Sequence, residues 1–196
     1  MAFTDAEFRH RLAKALVRGD HPFSLVDQPE FRLVFNLLRP GVAVPAAYTV
    51  RCDVVKHYRD QVDRVGERLR KVGSKISVTL DCWTSSNNKA FLGITGHYID
   101  DDWVLQSLVL DFVPLCGEHT GENLCGAFVG ACERLGILDK LLAVTTDNAS
   151  NISKLLDCFK DACFERRIVF NKEQQHMRCV AHVMNLAVQA FLLKAS

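Results

Sequence analysis

The stretch Ser77-Val-Thr-Leu-Asp-Cys-Trp-Thr-Ser-Ser86 decides the fold, together with Leu142-Ala-Val-Thr-Thr-Asp-Asn-Ala-Ser-Asn151. Each is a short apolar run that predicts a strand, and each delivers one aspartate, Asp81 or Asp147, as the predicted strand ends. Two carboxylates at the ends of separate strands can converge on one cleft and hold hard divalent cations for phosphodiester chemistry. The alternative is that each aspartate caps the turn or helix after its strand.

Composition places few restrictions on function. The chain has 196 residues, 48% of them hydrophobic and 24% charged, with a net charge of +1, which is an ordinary globular composition. Its apolar runs are interrupted well before the roughly 18 residues that a transmembrane helix needs, and the N-terminus has no apolar signal core. These features predict a nuclear or cytosolic protein that does not associate with a membrane.

Three further patterns have two interpretations each. The eight cysteines could form disulfides, but without a secretory signal free buried thiols are favoured. Basic residues cluster between Arg51 and Lys75, either as a DNA-facing surface or as the solvated face of a helix that also carries acids. The acidic triplet Asp100–Asp102 could attract a cation, but adjacent side chains cannot all point at one ion, so a solvated turn is favoured.

Hydrophobic periodicity predicts an all-helical region followed by an α/β region. Helices begin near Thr4, Pro29 and Thr49, and they define a helical N-terminal region over residues 1–73. Residues 74–196 predict three strands, a helix that ends near Leu135, a fourth strand over Leu141–Thr146 and another helix. A polar loop over 165–178, a short extended piece and a last helix over 180–193 follow. This order indicates a mixed sheet with packed helices, and the apolar stripe of the last helix should pack on that sheet.

Four blocks of sequence resemble the hAT superfamily of DNA transposases, in the order and at the spacing of that family. They are Leu80–Ser86, Phe91–Ile99, Leu142–Asn151 and Arg178–Gln189. The resemblance is strong over residues 74–195 and weaker over 21–73. It implies an α/β fold, namely a ribonuclease-H-like mixed sheet with flanking helices, preceded here by the small all-helical region.

The resemblance also implies roles for individual residues. Asp81 and Asp147 match the first two acids of the Asp-Asp-Glu triad of the family, which binds Mg²⁺ or Mn²⁺ during catalysis. Arg178, Cys179 and His182 match an Arg-Cys-x-x-His motif near the active site. Two ligands do not make a zinc site, so the favoured interpretation is that Cys179 packs in the interior and His182 donates an orienting hydrogen bond.

Several parts of the family pattern cannot be read in this chain. They are the BED-type zinc finger, the large helical insertion, the helix with the third acid and the C-terminal dimerisation region. Glu165 and Glu173 precede the Arg-Cys-x-x-His motif and do not match the third acid. The abrupt end of the last helix suggests that the core is partial. The resemblance implies homo-oligomers through regions outside this chain, and apolar surface left uncovered on the last helix predicts self-association of the chain itself.

Three functions remain open from the sequence. The favoured one is a partial, nuclear transposase core whose family cleaves DNA and transfers strands, acting on transposon ends and target DNA, but which is inactive as this fragment. The second is a non-enzymatic, domesticated module that binds DNA or another protein. The third, a small nuclease with two acids, is least favoured because residues 180–196 contain no late Asp or Glu.

Overall fold

The computed structural model describes residues 3–115, 120–147 and 150–195. The chain divides into two units, Met1–Asp63 and Arg64–Ser196. The division falls inside a long helix, α3 (Ala47–Lys71), and the domain boundary between residues 73 and 74 stays a prediction.

The first unit is helical. It contains α1 (Asp5–Arg18), a 3₁₀ turn at Phe23–Asp27, α2 (Pro29–Leu38) and the beginning of α3. The capping-box pattern correctly predicts the start of α1, because the Thr4 hydroxyl accepts a hydrogen bond of 3.1 Å from the backbone N–H of Glu7. The side chains that form its small buried core are Leu12, Ala13, Leu16, Val26 and Val50.

The second unit carries the sheet and the remaining helices. After the end of α3, the elements are β1 (Ile76–Thr84), β2 (Ala90–Ile99), β3 (Leu105–Leu115), α4 (Gly121–Leu135), β4 (Leu141–Thr146), α5 (Ser150–Glu165), α6 (Lys172–Gln175), β5 (His176–Arg178) and α7 (Val180–Ala195). A 3₁₀ turn at Leu138–Lys140 connects α4 to β4. The cap predicted for α5 at Asn148 or Ser150 falls largely outside the described residues.

The five strands form one mixed sheet in the order β3-β2-β1-β4-β5. The β1–β2 and β2–β3 pairs are antiparallel hairpins, whereas β1–β4 and β4–β5 are parallel pairs connected through helices. The mixed sheet with flanking helices and the all-helical N-terminal region predicted from the sequence are therefore confirmed. This order places β1 and β4 side by side at the centre of the sheet.

One face of the sheet packs in the interior. Ile76, Val78 and Leu80 alternate along β1 and are almost fully buried, as the period-two pattern predicts. Helices α4 and α5 pack against each other within the same unit, and their aromatic residues Phe128 and Phe159 are fully buried. The side chains on the opposite face of β1 are more accessible, and this open face carries Ser77, Thr79, Asp81 and Trp83.

The segment 165–178 is not the simple loop that its polar composition predicts. It contains the one-turn helix α6, capped by the Asn171 side chain, which accepts hydrogen bonds from the N–H groups of Glu173 and Gln174 at 3.0 and 3.1 Å. It also contains the three-residue strand β5. Neither element is long enough to produce a hydrophobic period, so their existence depends on capping and on pairing with β4.

Helix α7 does not bury its apolar residues among the described parts of the chain. The prediction that its stripe packs on the sheet is wrong, because the stripe residues Val183, Met184 and Phe191 are 44%, 63% and 71% exposed. None of the described helices combines the length and the apolarity that a bilayer span requires.

The seven described cysteines are free thiols, as predicted, and Cys116 lies outside the described residues. Three of them, Cys125, Cys132 and Cys163, are buried on α4 and α5. Burial raises the pKa of each of these thiols, to about 11 for Cys125 and for Cys163. The core thiols are therefore protonated near neutral pH.

Candidate functional site

The parallel register between β1 and β4 brings the two motif aspartates to the same end of the sheet. The last paired residues are Thr79 and Thr145, and each aspartate follows its paired threonine by two residues. Because side chains alternate along a strand, Asp81 lies on the same open face as Thr79. Asp147 directly follows β4, and continuing that strand by one residue would place it on the side of Thr145. Neighbouring strands are about 4.8 Å apart, so the register places the two aspartates in one row across the sheet.

Asp81 does not lie at the end of its strand, contrary to the prediction. Strand β1 continues to Thr84, and Asp81 pairs with Gly93 of β2 within the antiparallel ladder. What ends near Asp81 is the pairing of β1 with β4, because β4 stops at Thr146. No turn follows Asp81 directly, so the alternative in which Asp81 caps a turn is excluded by the structure.

The thiol of Cys82 is affected by the charges of both acids. Burial raises the pKa of the Cys82 thiol, and the carboxylates of Asp147 and then Asp81 raise it further. Both carboxylates are thus close enough to the same thiol to oppose its ionisation. The thiol itself stays protonated and soft, so it is a poor ligand for Mg²⁺ or Mn²⁺.

An aromatic cluster lies on the open face next to Asp81. The Trp83 ring centroid is 6.0 Å from Phe91 and 5.4 Å from Phe112, and the latter two rings stack at 4.9 Å. A Cβ atom on Gly93 would approach Trp83 Cζ3 to 3.1 Å, so glycine leaves room for the indole beside the acid. No local pattern in the sequence predicts this cluster, because its three rings come from three different strands.

The polypeptide around Asp147 is held by a hydrogen-bonded pair that the sequence analysis also missed. Thr146 is 1% exposed, and its hydroxyl donates to the backbone carbonyl of Asp147 at 3.0 Å. The same hydroxyl oxygen lies 2.9 Å from His176 Nε2. Since the hydroxyl proton is already used, Nε2–H of His176 acts as the donor. No local signal marks this contact, because its partners are far apart in the sequence.

The Arg-Cys-x-x-His motif begins at the end of β5. Arg178 pairs with Thr146, and the backbone N–H of Cys179 donates to the Thr146 carbonyl at 2.8 Å. Continuing this register places Cys179 beside Asp147. His182 follows in the first turn of α7 and is half-buried. Cys179 and Asp147 thus directly follow the ends of two neighbouring strands, on the side of β4 that faces β5, whereas Arg178 is still part of β5.

The donor set fits a hard cation weakly. In the described ranges, no group of three or more His, Cys, Asp and Glu side chains is placed to hold a metal ion. Two carboxylates on adjacent strands are nevertheless a donor set that Mg²⁺ accepts, because this ion keeps several waters and commonly uses one or two carboxylates plus phosphate oxygens. The role of both aspartates as metal ligands stays a prediction.

Comparison with known proteins agrees with the fold. Residues 79–176 match the ZBED1 RNase-like domain. The chain is 30% identical over 183 residues to a putative AC transposase of Zea mays, covering 91% of this chain and 22% of that protein. It is also 30% identical over 193 residues to the putative transcriptional regulator tpeD of Talaromyces stipitatus, with 97% and 23% covered.

A third relative is the zinc finger BED domain-containing protein DAYSLEEPER of Arabidopsis thaliana, 25% identical over 194 residues, with 99% of this chain and 28% of that protein covered. The chain thus spans about a quarter of the length of these relatives. The sheet topology and the matched region define an RNase-like α/β domain. The chain belongs to the ZBED1 RNase-like domain family and is related to the hAT transposases.

Proposed function

We propose that this chain is part of a hAT-type transposase core in which Asp81 and Asp147 hold Mg²⁺ or Mn²⁺ for DNA cleavage and strand transfer. The observation that carries the proposal is the β1–β4 register, in which each acid follows the last paired threonine of its segment by two residues. The thiol of Cys82, whose pKa both carboxylates raise, supports their closeness. A nuclear location and DNA as the partner follow from the same proposal, because the relatives include a transposase and a transcriptional regulator.

Each part of the site has a distinct task in this proposal. Asp81 is fixed by strand pairing on one side, and Asp147 is positioned through the hydrogen bond from Thr146 to its carbonyl. A cation held there would polarise the scissile phosphate and activate the attacking oxygen. The two acids would otherwise repel each other, so ligand binding between them relieves an unfavourable charge pair.

Metal binding by the purified chain tests the proposal directly. We expect Asp81→Asn and Asp147→Asn each to weaken Mn²⁺ binding by about 10-fold or more, since loss of a ligand should cost at least as much as loss of a residue that supports one. Isothermal titration calorimetry or the electron paramagnetic resonance signal of free Mn²⁺ measures this. Thermal melting of each variant establishes that it is folded.

Asp102→Asn is the matched control, because Asp102 is an exposed acid in the β2–β3 turn. The Asp100 carboxylate of that turn accepts hydrogen bonds from the N–H groups of Asp102 and Val104 at 3.1 and 2.9 Å, and these bonds lower its pKa. The hydrogen bonds that the turn makes therefore give its acidic residues a structural role. Mn²⁺ affinity that is equal in all three variants and the wild type would exclude the aspartate site.

The chain by itself is expected to lack DNA cleavage activity, because it supplies two of the three acids that the resemblance implies. A third ligand fixes the geometry of the reacting groups, and misplacement by about 1 Å can cost about 100-fold in rate. Incubating the chain with supercoiled plasmid and Mn²⁺ should therefore yield no nicked product. Nicking by the wild type that disappears in both Asp81→Asn and Asp147→Asn would contradict this expectation, whereas nicking that persists in them indicates a contaminant.

A second candidate is a non-enzymatic module that binds DNA or another protein. The similarity to the putative transcriptional regulator tpeD over almost the whole chain favours it. The exposed apolar residues of α7 would provide a surface for such a role. The Mn²⁺ titration distinguishes the two candidates, since a regulator does not require a cation between Asp81 and Asp147.

A further inference from the structure

A cleft of about 730 Å³ lies on the other side of β5 from the row of acids, between α5, α6 and the strand. We call it the β5 cleft. The charged and polar side chains that line it are Asp157, Lys160, Asn171, Lys172, Glu173, His176 and Arg178. One of these residues, Arg178, is the strand partner of Thr146, and Thr146 precedes Asp147.

Some of the charged side chains in the β5 cleft form ion pairs with each other, and others do not. Lys172 Nζ contacts Asp157 Oδ1 at 2.6 Å and the carbonyl and hydroxyl oxygens of Ser153 at 3.1 Å, so the Lys172–Asp157 pair is neutralised internally. Lys160 and Arg178 are exposed and, in the part of the chain that the structure describes, form no ion pair. Of the lining carboxylates, only Glu173 is left to balance these two cations.

His176 is half-buried and lines the cleft. Burial lowers the pKa of its imidazole, and the nearby positive charges of Arg178 and Lys172 lower it further. Its Nε2–H is used by Thr146, which leaves Nδ1 as the remaining ring nitrogen. An anion in the cleft would oppose the two positive charges and favour a proton on Nδ1, which would then become a further hydrogen-bond donor.

We propose that the β5 cleft binds a backbone phosphate of DNA, through the Arg178 guanidinium and the Lys160 ammonium with His176 at its inner wall. This proposal rests on the proposed function for its choice of DNA as the source of the phosphate. A guanidinium matches the geometry of two phosphate oxygens, and a lysine adds a mobile point charge. A strand anchored in the cleft would pass next to Asp147 at the ends of β4 and β5.

Fluorescence anisotropy with a labelled DNA duplex of about 20 base pairs, in EDTA and over a range of salt concentrations, tests the cleft without any metal. We expect Arg178→Gln and Lys160→Gln each to weaken binding about 5- to 10-fold and to reduce the slope of log K against log salt by about one. Arg178→Lys should bind the duplex more tightly than Arg178→Gln but less tightly than the wild type, because lysine has the positive charge but not the planar guanidinium that contacts two oxygens.

Lys154→Gln is the matched control on the same helix as Lys160. Its ammonium is exposed, pairs with Glu122 at 3.4 Å and does not line the β5 cleft. Its duplex affinity and salt slope should equal those of the wild type. If Arg178→Gln and Lys160→Gln behave like Lys154→Gln, the cleft does not contact DNA and the proposal is overturned.

Inorganic phosphate added to the wild-type chain provides a measurement that needs no variant. We expect the ring resonances of His176 to shift as phosphate is added, and Arg178→Gln to abolish the shift. The absence of a shift would overturn the phosphate site. A shift together with duplex binding that Arg178→Gln and Lys160→Gln leave unchanged would assign the cleft to free phosphate rather than DNA. Loss of Mn²⁺ binding and loss of duplex binding in EDTA are separate results, so the metal proposal and this one fail independently.

Discussion

Phe159→Ala should reduce the free energy of unfolding by about 4 kcal/mol, which is a large part of the roughly 5–15 kcal/mol that stabilises a typical domain. Phe159 lies on α5 and is fully buried, with its ring centroid 4.8 Å from those of Phe128 and Phe170. Truncation would remove both ring contacts and leave a cavity where α4 and α5 meet. Because such interiors are closely packed, the neighbouring rings can fill that cavity only in part.

Chemical denaturation followed by tryptophan fluorescence measures the unfolding of the second structural unit, since Trp83 and Trp103 both lie in Arg64–Ser196. Phe164→Ala is the matched control, because Phe164 is on the same helix but 82% exposed. It should change stability by no more than about 0.5 kcal/mol. Similar losses in both variants would show that α5 does not pack with the orientation described here.

Gly121→Ala should destabilise the second unit by about 3 kcal/mol, at the upper end of the usual cost of overpacking. Gly121 begins α4 where that helix meets α5, and a Cβ atom there would lie 2.6 Å from Lys154 Cβ and 2.7 Å from the backbone nitrogen of Leu155. Neither neighbour is the flexible end of a side chain, so the two helices would have to separate.

Gly126→Ala on the same helix is the control, and it should change the free energy of unfolding in the opposite direction. Nothing lies within 4 Å of a Cβ atom at Gly126, and alanine is favoured over glycine in a helix interior by about 1 kcal/mol. Urea unfolding of both variants should therefore give a loss for residue 121 and a small gain for residue 126. A gain at both positions would contradict the close approach of α4 and α5.

Long, strongly patterned elements of this fold were predictable from sequence. Strand β4 has the predicted bounds of Leu141–Thr146, and α4 ends at Leu135, where Gly136 adopts a left-handed φ of 66°. Local chemistry is sufficient in both cases, because alternation defines the strand and glycine tolerates the conformation that ends the helix. The same patterns correctly predicted that Asp147 directly follows β4, but they wrongly predicted that Asp81 ends β1.

What the sequence did not predict depends on partners that are distant in the chain. Strand β1 extends beyond Asp81 to Thr84 because β2 continues to pair with it, and no local pattern encodes that pairing. The sequence predicts a short extended piece before the last helix, but the three residues of β5 are too few to indicate that it pairs with β4. The contact between Thr146 and His176 joins two strands, so only the folded chain shows that a histidine supports the loop carrying Asp147.

The buried thiols have a consequence for the redox behaviour of the protein. Only a thiolate reacts readily with oxidants and electrophiles, and a pKa of about 11 for Cys125 and for Cys163 leaves about one thiol in ten thousand ionised at neutral pH. The buried thiols of α4 and α5 are thus slow to react. Oxidants and alkylating labels would reach the exposed Cys52 first, so this one helix surface can be modified while the core remains reduced.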